Sequence, residues 1–196
     1  MPSAGTNAVE LPPDLQTIVD ELDISDREAR RIIDGLSDKQ ANWQPRETAW
    51  SIAQCLDHLA RGNVMYAKAL RAALHESRAA RKPRREPVRP GWLSAMFIRS
   101  LEPPPERKMR APKKIVPASS ANKDEVLQAF LHSQEAMRSV IWEGANLDLN
   151  RIRFRNPFVG FLRFTVGAGL MIIAAHDRRH LWQAQQVRCS TDFPPY

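Results

Sequence analysis

Apolar residues recur at alternating steps of three and four over much of this chain, and this spacing constrains the fold more than any other feature. The clearest run is Leu15, Ile18, Leu22, Ala29, Ile32 and Leu36. Because an α-helix has about 3.6 residues per turn, such residues share one face, which is buried against other elements. The run predicts an amphipathic helix of about 22 residues, with Asp14 as its N-cap.

Three further helices are predicted by capping signals and by the same periodicity. Ser51 and Gln54 have the spacing of a capping box, so a second helix is expected over residues 51–79. A third helix is expected over residues 122–144 on the same grounds. An Arg-rich link then leads to a fourth helix over residues 158–187, and no alternating run of useful length predicts a β-strand.

Four long helices and one long crossover predict an all-α protein, namely a four-helix bundle with a long Pro-rich basic connection between helices 2 and 3. Residues 1–13 are predicted to be a disordered lead that ends in two prolines. Residues 14–196 are predicted to form a single domain, because a chain of 196 residues suits one domain with a sizeable core.

The predicted basic connection, residues 78–120, holds the excess positive charge of the chain. Its residues 78–114 include 12 of the 29 Lys and Arg, 3 of the 22 Asp and Glu and 7 of the 15 prolines. The rest of the chain is nearly neutral, so this charge indicates a flexible segment rather than an ordered face that reads nucleic acid. We expect the connection to tune function more than it holds the fold. If it covers the pocket, three of its arginines are expected to attract an anionic substrate: Arg84, Arg85 and Arg89. The alternative is a solvated loop or a contact between subunits.

Cysteine content and hydropathy bear on the compartment. Two cysteines, Cys55 and Cys189, are too few to staple a chain of this size, which indicates reduced thiols and a cytoplasmic location. The longest apolar stretch covers residues 164–175. A helix that crosses a bilayer needs about 20 apolar residues, so no membrane association is predicted. The first residues also lack the basic start and apolar core of a signal peptide.

Two histidines on the predicted fourth helix are the first candidates for chemistry. His176 and His180 are four residues apart on its apolar face. This spacing places their Cβ atoms about 5–6 Å apart, and both side chains are expected to point inward. The pair suits one divalent metal ion, because each neutral imidazole offers a nitrogen lone pair. Taken alone, such a pair also occurs as a hydrogen-bonded pair in a core or at a surface.

His58 adds a third candidate ligand from another helix. Its helical face carries mostly small residues: Ser51, Cys55, Gly62, Met65 and Ala69. A core that only needed filling would use Leu or Ile there, so this face indicates a pocket beside the imidazole. Three neutral histidines from two helices leave coordination positions open for water or substrate, as in a catalytic site. A buried histidine satisfied by the backbone is the alternative for His58 alone.

Other residues near these histidines are given structural interpretations. Asp57 and Asp177 are each one residue from a histidine and point about 100° away from it on the helix, so both are predicted to be polar-face or packing residues. Cys55 is predicted to be a small buried thiol. Trp50 is expected to form a wall of the pocket.

Two stretches around the histidines resemble the signatures of the DinB-like superfamily. The first consists of residues 36–45, LSDKQANWQP, and residues 49–59, AWSIAQCLDHL. The second is residues 176–185, HDRRHLWQAQ. The resemblance implies a four-helix bundle with a long connection between its second and third helices. It also implies a metal triad formed by His58, His176 and His180, and a homodimer, since many members are dimeric.

The resemblance further implies the chemistry to expect. Members include thiol transferases that use bacillithiol or mycothiol, and a mycothiol-dependent isomerase. The implied cofactors are a divalent metal ion (Zn, Ni, Fe or Mn) and a low-molecular-weight thiol, with a small molecule as substrate. A bound divalent ion lowers the pKa of coordinated water toward about 7 and deprotonates a coordinated thiol, so both S-transfer and hydrolysis remain open. The alternatives are a metal-binding bundle without catalysis and a nucleic-acid-binding protein that uses residues 78–114.

Overall fold

Six helices and one β-hairpin make up the described part of the chain, which in the computed structural model covers residues 10–76, 82–105 and 111–195. The elements in chain order are α1 (Pro13–Ile33), α2 (Asp38–Ala41), α3 (Ile52–Glu76), α4 (Trp92–Leu101), a 3-10 turn (Lys113–Ile115), α5 (Lys123–Gly144), β1 (Arg153–Arg155), β2 (Arg163–Thr165) and α6 (Val166–Arg188). The predicted all-α class is confirmed. None of the described helices combines the length and apolar composition needed to cross a membrane.

The four long helices, α1, α3, α5 and α6, pack around one another. Helix α3 contacts α5 and α6, and α1 contacts the same two helices. Each long helix therefore has two main neighbours, as expected for a bundle. The buried apolar residues form two clusters, one that includes Leu70 and Phe154 and another that includes Leu56 and Phe130. Along α3, α5 and α6, buried polar residues separate these clusters: His58, Asn63, Ser133, Gln134, Asp177 and His180.

Capping interactions fix the starts of three helices. The predicted capping box at α3 is present, because the Gln54 amide N–H donates to Ser51 Oγ and the Ser51 amide N–H donates to Gln54 Oε1. The side chain of Asn122 caps α5 by accepting from two backbone N–H groups. A second capping box, formed by Ser37 and Gln40, starts the short helix α2, which the sequence analysis did not separate from the link.

The first helix begins earlier than the sequence predicted. Pro12 is its N-cap and Pro13 its first residue, since proline at the first helical position gives up no intrahelical hydrogen bond. Asp14 therefore lies in the first turn and is not the cap. Leu11 is buried in the core, so the predicted disordered lead does not reach residue 13. The rest of that lead, residues 1–9, lies outside the described residues.

A β-hairpin occupies the place where the sequence predicted the start of the fourth helix. Strands β1 and β2 pair antiparallel, with Phe154 opposite Phe164 and Arg155 opposite Arg163. Both phenylalanines are buried, which holds the hairpin against the bundle. Helix α6 consequently begins at Val166 and not at residue 158. Strands of three residues are too short to show a convincing alternation in sequence.

The basic connection is docked in its described parts, contrary to the expectation that it contributes little to the fold. Arg84 donates two hydrogen bonds of 2.5 Å to the carboxylate of Asp14. The Val88 amide N–H donates to the same carboxylate, and the Val88 side chain occupies the space where Gly167 lacks a Cβ. Because Arg84 is committed to this ion pair, it is unavailable to attract a substrate. Arg85 and Arg89 are exposed.

Candidate metal centre

The packing of α3 against α6 brings the three predicted histidines together. His58 is contributed by α3, and His176 and His180 by α6. One ring nitrogen from each of the three lies within 4.8 Å of the others. The Nε2 atoms of His58 and His176 are 3.2 Å apart. We refer to these three residues as the histidine cluster.

Hydrogen bonds at Nδ1 orient two of the rings. His58 Nδ1 lies 2.7 Å from the carbonyl oxygen of Ile115. Because a carbonyl only accepts, His58 carries its proton on Nδ1 and turns the lone pair of Nε2 toward the cluster. His180 Nδ1 lies 3.1 Å from Gln183 Oε1, another acceptor, so its Nε2 is likewise unprotonated. Such outer hydrogen bonds are typical of metal-binding histidines.

The third ring has an unsatisfied nitrogen, which suggests what the cluster binds. His176 Nδ1 is buried and has no hydrogen-bond partner. If His176 carries its proton on Nδ1, a buried donor is unpaired and two Nε2 lone pairs face each other. If the proton is on Nε2, the Nδ1 lone pair is unpaired. A divalent cation would accept both Nε2 lone pairs, and two nitrogens on a tetrahedral Zn²⁺ lie about 3.4 Å apart. The observed 3.2 Å fits that geometry.

Burial keeps the three imidazoles neutral. It lowers the pKa of His58, and it lowers the pKa of His180 well below the usual value. The pKa of His176 is lowered to about 3, first by burial and then by electrostatic repulsion between its protonated form and the neighbouring His58 and Arg179. The lone pairs are therefore available at neutral pH without loss of a proton. His58 and His180 are buried, whereas the His176 residue has intermediate exposure.

Two neighbours shape the space around the cluster. The Trp50 ring centre lies 4.7 Å from that of His58 and 5.5 Å from that of His180. The expected contact of Trp50 with the site is therefore present. A Cβ placed on Gly62 would lie 3.6 Å from His176 Cε1, so the missing side chain at Gly62 leaves room for the ring. This residue belongs to the small-residue face from which the sequence predicted a pocket.

Asp57 and Cys55 have the structural roles predicted for them. Asp57 forms an ion pair with Arg61 at 2.9 Å and accepts a hydrogen bond of 2.9 Å from the amide N–H of Ala118. Cys55 is fully buried, and burial raises the pKa of its thiol. Among the described residues, neither side chain joins the histidine cluster.

Asp177 belongs to a second buried polar cluster that the sequence analysis did not find. Asn63 Nδ2 donates to Asp177 Oδ1 at 3.1 Å and to Gln134 Oε1 at 3.3 Å. We refer to Asn63, Gln134 and Asp177 as the amide–carboxylate cluster. Burial raises the pKa of Asp177 to about 7. One sequence signal could have indicated this cluster. Asn63 and Gln134 are polar residues on the faces of two long helices that otherwise carry apolar residues.

The fold and the site together define the class of protein. It is a helical protein in which two packed helices contribute three histidines to a candidate metal centre. The family model of the DinB superfamily matches residues 21–184. This range contains all three histidines and most of the chain, and the protein belongs to the DinB superfamily. The resemblance found in the two motifs is thereby confirmed. No curated protein matches the chain.

Proposed function

We propose that the protein is a divalent-metal-dependent enzyme whose ion is held by His58, His176 and His180. The observation that carries this proposal is the convergence of three neutral imidazoles, two of which are tied at Nδ1 so that Nε2 faces the cluster. Imidazole nitrogens suit Zn, Ni and Fe, whereas Mn, which the family resemblance also implies, more often has oxygen ligands. A bound ion would acidify a coordinated thiol or water and so generate a nucleophile.

The residues around the cluster have separate tasks in this proposal. Ile115 and Gln183 hold the rings of His58 and His180 in the orientation for binding. Trp50 packs over the same two rings and excludes water from that side. In this proposal substrate enters from the side of His176, the residue of the cluster with intermediate exposure.

A low-molecular-weight thiol is our first candidate for the nucleophile, and water is the second. In the described part of the chain, no carboxylate joins the histidine cluster to act as a general base. A thiol at a cationic centre needs no such base, because its pKa falls below neutral pH and the proton passes to solvent. The thiolate would then attack an electrophilic carbon, so that a C–S bond forms as the bond between that carbon and the leaving group breaks. Members of the family that use small thiols support the same choice.

The test compares metal-free protein with samples reloaded with Zn²⁺, Ni²⁺, Fe²⁺ or Mn²⁺. Each sample is assayed for consumption of a thiol with an alkyl halide or epoxide, and separately for ester or amide hydrolysis. We expect turnover that requires metal and is lost in the His176→Ala/His180→Ala variant. Metal binding without either activity would instead assign a binding function, and turnover that is equal in both proteins would reject the site.

We also propose a homodimer in the cytoplasm that acts on a small molecule. The dimer is supported by the family resemblance. The compartment is supported by Cys55 and Cys189, which are both unpaired. Light scattering of the purified protein measures the oligomeric state, and a monomeric mass at micromolar concentration would contradict the dimer.

One observation favours a second candidate function, the binding of nucleic acid. Arg153, Arg155 and Arg163 are exposed on the outer face of the hairpin, and none of them has an ion pair within the described residues. Arg155 lies directly opposite Arg163, and like charges in that position destabilise a strand pair unless an anion offsets them. DNA affinity that falls steeply with salt, and that is lost in Arg155→Glu/Arg163→Glu, would support this function.

A further inference from the structure

The end of the basic connection lies against the first histidine of the cluster. The 3-10 turn Lys113–Ile115 is packed on α3, and the Ile115 side chain is only 2% exposed. Its carbonyl oxygen accepts the hydrogen bond of 2.7 Å from His58 Nδ1. The connection thus supplies the group that sets the tautomer of His58.

Two side chains of α3 hold the backbone three residues further on. Asp57 Oδ2 accepts from the Ala118 amide N–H at 2.9 Å, and Gln54 Nε2 donates to the Ala118 carbonyl at 3.2 Å. Both polar groups of one residue are therefore fixed by the helix that carries His58. This contact also explains the conspicuous acid beside the histidine, since Asp57 anchors the connection and does not face the cluster.

The same connection is attached to the other ligand-bearing helix. Arg178 donates to the carboxylate of Glu102, with a shortest distance of 2.5 Å, and Arg179 donates to the carbonyl oxygen of Ser100 at 3.0 Å. Both arginines lie between His176 and His180 in sequence. The connection therefore contacts α3 beside His58 and α6 between the other two histidines.

We propose that residues 112–118 act as a clip that positions His58 for metal binding, with the Ile115 carbonyl as the positioning group. This inference rests on the proposed metal function. A neutral imidazole released from the carbonyl exchanges its proton between Nδ1 and Nε2 and rotates about its Cβ–Cγ bond. Only the Nδ1-protonated form in the present orientation offers Nε2 to an ion that His176 and His180 share. Loss of such an outer hydrogen bond costs about 10–100-fold in metal affinity.

The test loosens the clip and compares the result with a matched variant. The clip variant is Ile115→Gly/Asp57→Ala, which removes the buried side chain of the turn and the anchor of Ala118. The control is Leu101→Gly/Arg61→Ala. Leu101 is equally buried in the same connection, at 3% exposed. Arg61→Ala removes the ion pair of Asp57 but leaves its bond to Ala118.

Two readouts are taken on the full chain. Nitrogen-15 chemical shifts of the His58 ring in metal-free protein report its tautomer, and competition with a chromophoric chelator gives the Zn²⁺ affinity. In the clip variant we expect a second His58 tautomer and a 10–100-fold loss of Zn²⁺ affinity, whereas the control stays within about twofold of wild type at a similar melting temperature.

The outcomes separate the two proposals. A clip variant with the wild-type tautomer overturns the positioning role, whether its Zn²⁺ affinity is unchanged or reduced, because a reduced affinity would then reflect a general loss of structure. A wild-type protein that binds no Zn²⁺ and none of the other divalent ions overturns the metal function. The tautomer of metal-free His58 still decides the role of Ile115 in that case.

Discussion

The histidine cluster lies on α3 and α6, whereas the amide–carboxylate cluster joins α3, α5 and α6, and the two differ in which polar atoms they bring together. Asn63 donates hydrogen bonds to both of its partners in the amide–carboxylate cluster. In the histidine cluster, the Nε2 atoms of His58 and His176 are 3.2 Å apart, and His176 Nδ1 is buried without a partner. Both clusters contain buried polar atoms without a partner, namely Asn63 Oδ1 and Gln134 Nε2 in the amide–carboxylate cluster and His176 Nδ1 in the histidine cluster. Only the histidine cluster brings three possible metal-binding atoms within 4.8 Å of one another among the described residues.

The difference originates in one step along α6. His176 and Asp177 are consecutive, so their side chains point about 100° apart. One joins His58 beside the basic connection, and the other joins Asn63 and Gln134 between α3 and α5. Burial alone therefore does not make a polar cluster functional. The two clusters differ instead in the atoms that converge, which are three ring nitrogens in the histidine cluster and an amide with a carboxylate in the other.

The largest effect is expected for His176→Leu, which removes one ligand and the unsatisfied Nδ1 at similar volume. Zn²⁺ affinity should fall by more than about 100-fold, beyond the range for outer hydrogen-bond partners. The unfolding free energy of the metal-free protein should stay within about 1 kcal/mol of wild type, because the variant loses one hydrogen bond, between His176 Nε2 and His58 Nε2, and Nδ1 has no partner to lose. Chelator competition and urea unfolding measure the two quantities. A large loss of metal-free stability would show that the histidines hold the fold.

The converse effect is expected for Asn63→Leu on the other cluster. The variant leaves the buried carboxyl of Asp177 without its amide donor, which should cost about 2–3 kcal/mol of unfolding free energy. Zn²⁺ affinity at a temperature where the variant is folded should change by less than about threefold. Val64→Leu is the matched control, because Val64 is the next residue of α3 and is half exposed. If the Asn63→Leu variant were as stable as this control, the amide–carboxylate cluster would not stabilise the fold, and the proposed difference between the two clusters would be wrong.

A smaller effect is expected at Gly62, which sets the room for His176. Alanine should be tolerated, since its Cβ would meet His176 Cε1 at 3.6 Å, an ordinary contact. Leucine should displace the ring and lower Zn²⁺ affinity by about tenfold, or roughly 1.4 kcal/mol. Isothermal titration of the two variants provides the comparison. Equal affinities in Gly62→Ala and Gly62→Leu would mean that His176 does not need the space above this residue.

Local sequence patterns predicted the helices and the histidines because their causes are local. The periodicity from Leu15 to Ile32 places one face of α1 in the core, and Ser51 with Gln54 starts α3 through a contact three residues long. The spacing of His176 and His180 fixes their common direction on one helix. Joining them to His58 depended on the small residues around His58 and on the motif resemblance, because the three residues are brought together by helix packing.

The features that the sequence analysis missed depend on contacts between distant segments. Ile115 reaches His58 across 57 positions, and Arg84 reaches Asp14 across 70 positions. The proline and arginine content of residues 78–114 predicted a flexible segment. Composition does not show which carboxylates and carbonyl groups of the fold lie close enough to bind such a segment. The hairpin was missed for a related reason. Phe154 and Phe164 are ten residues apart in sequence and become neighbours only when the two strands pair.

The most direct test of the account is the metal content of purified protein. Wild type and His176→Ala/His180→Ala are stripped with a chelator, reloaded with Zn²⁺, Ni²⁺, Fe²⁺ or Mn²⁺, desalted and analysed for elements. The account predicts about one divalent ion per wild-type chain, as for a single three-histidine site, and almost none in the variant, with both proteins folded by circular dichroism. Equal metal content in the two folded proteins would contradict it.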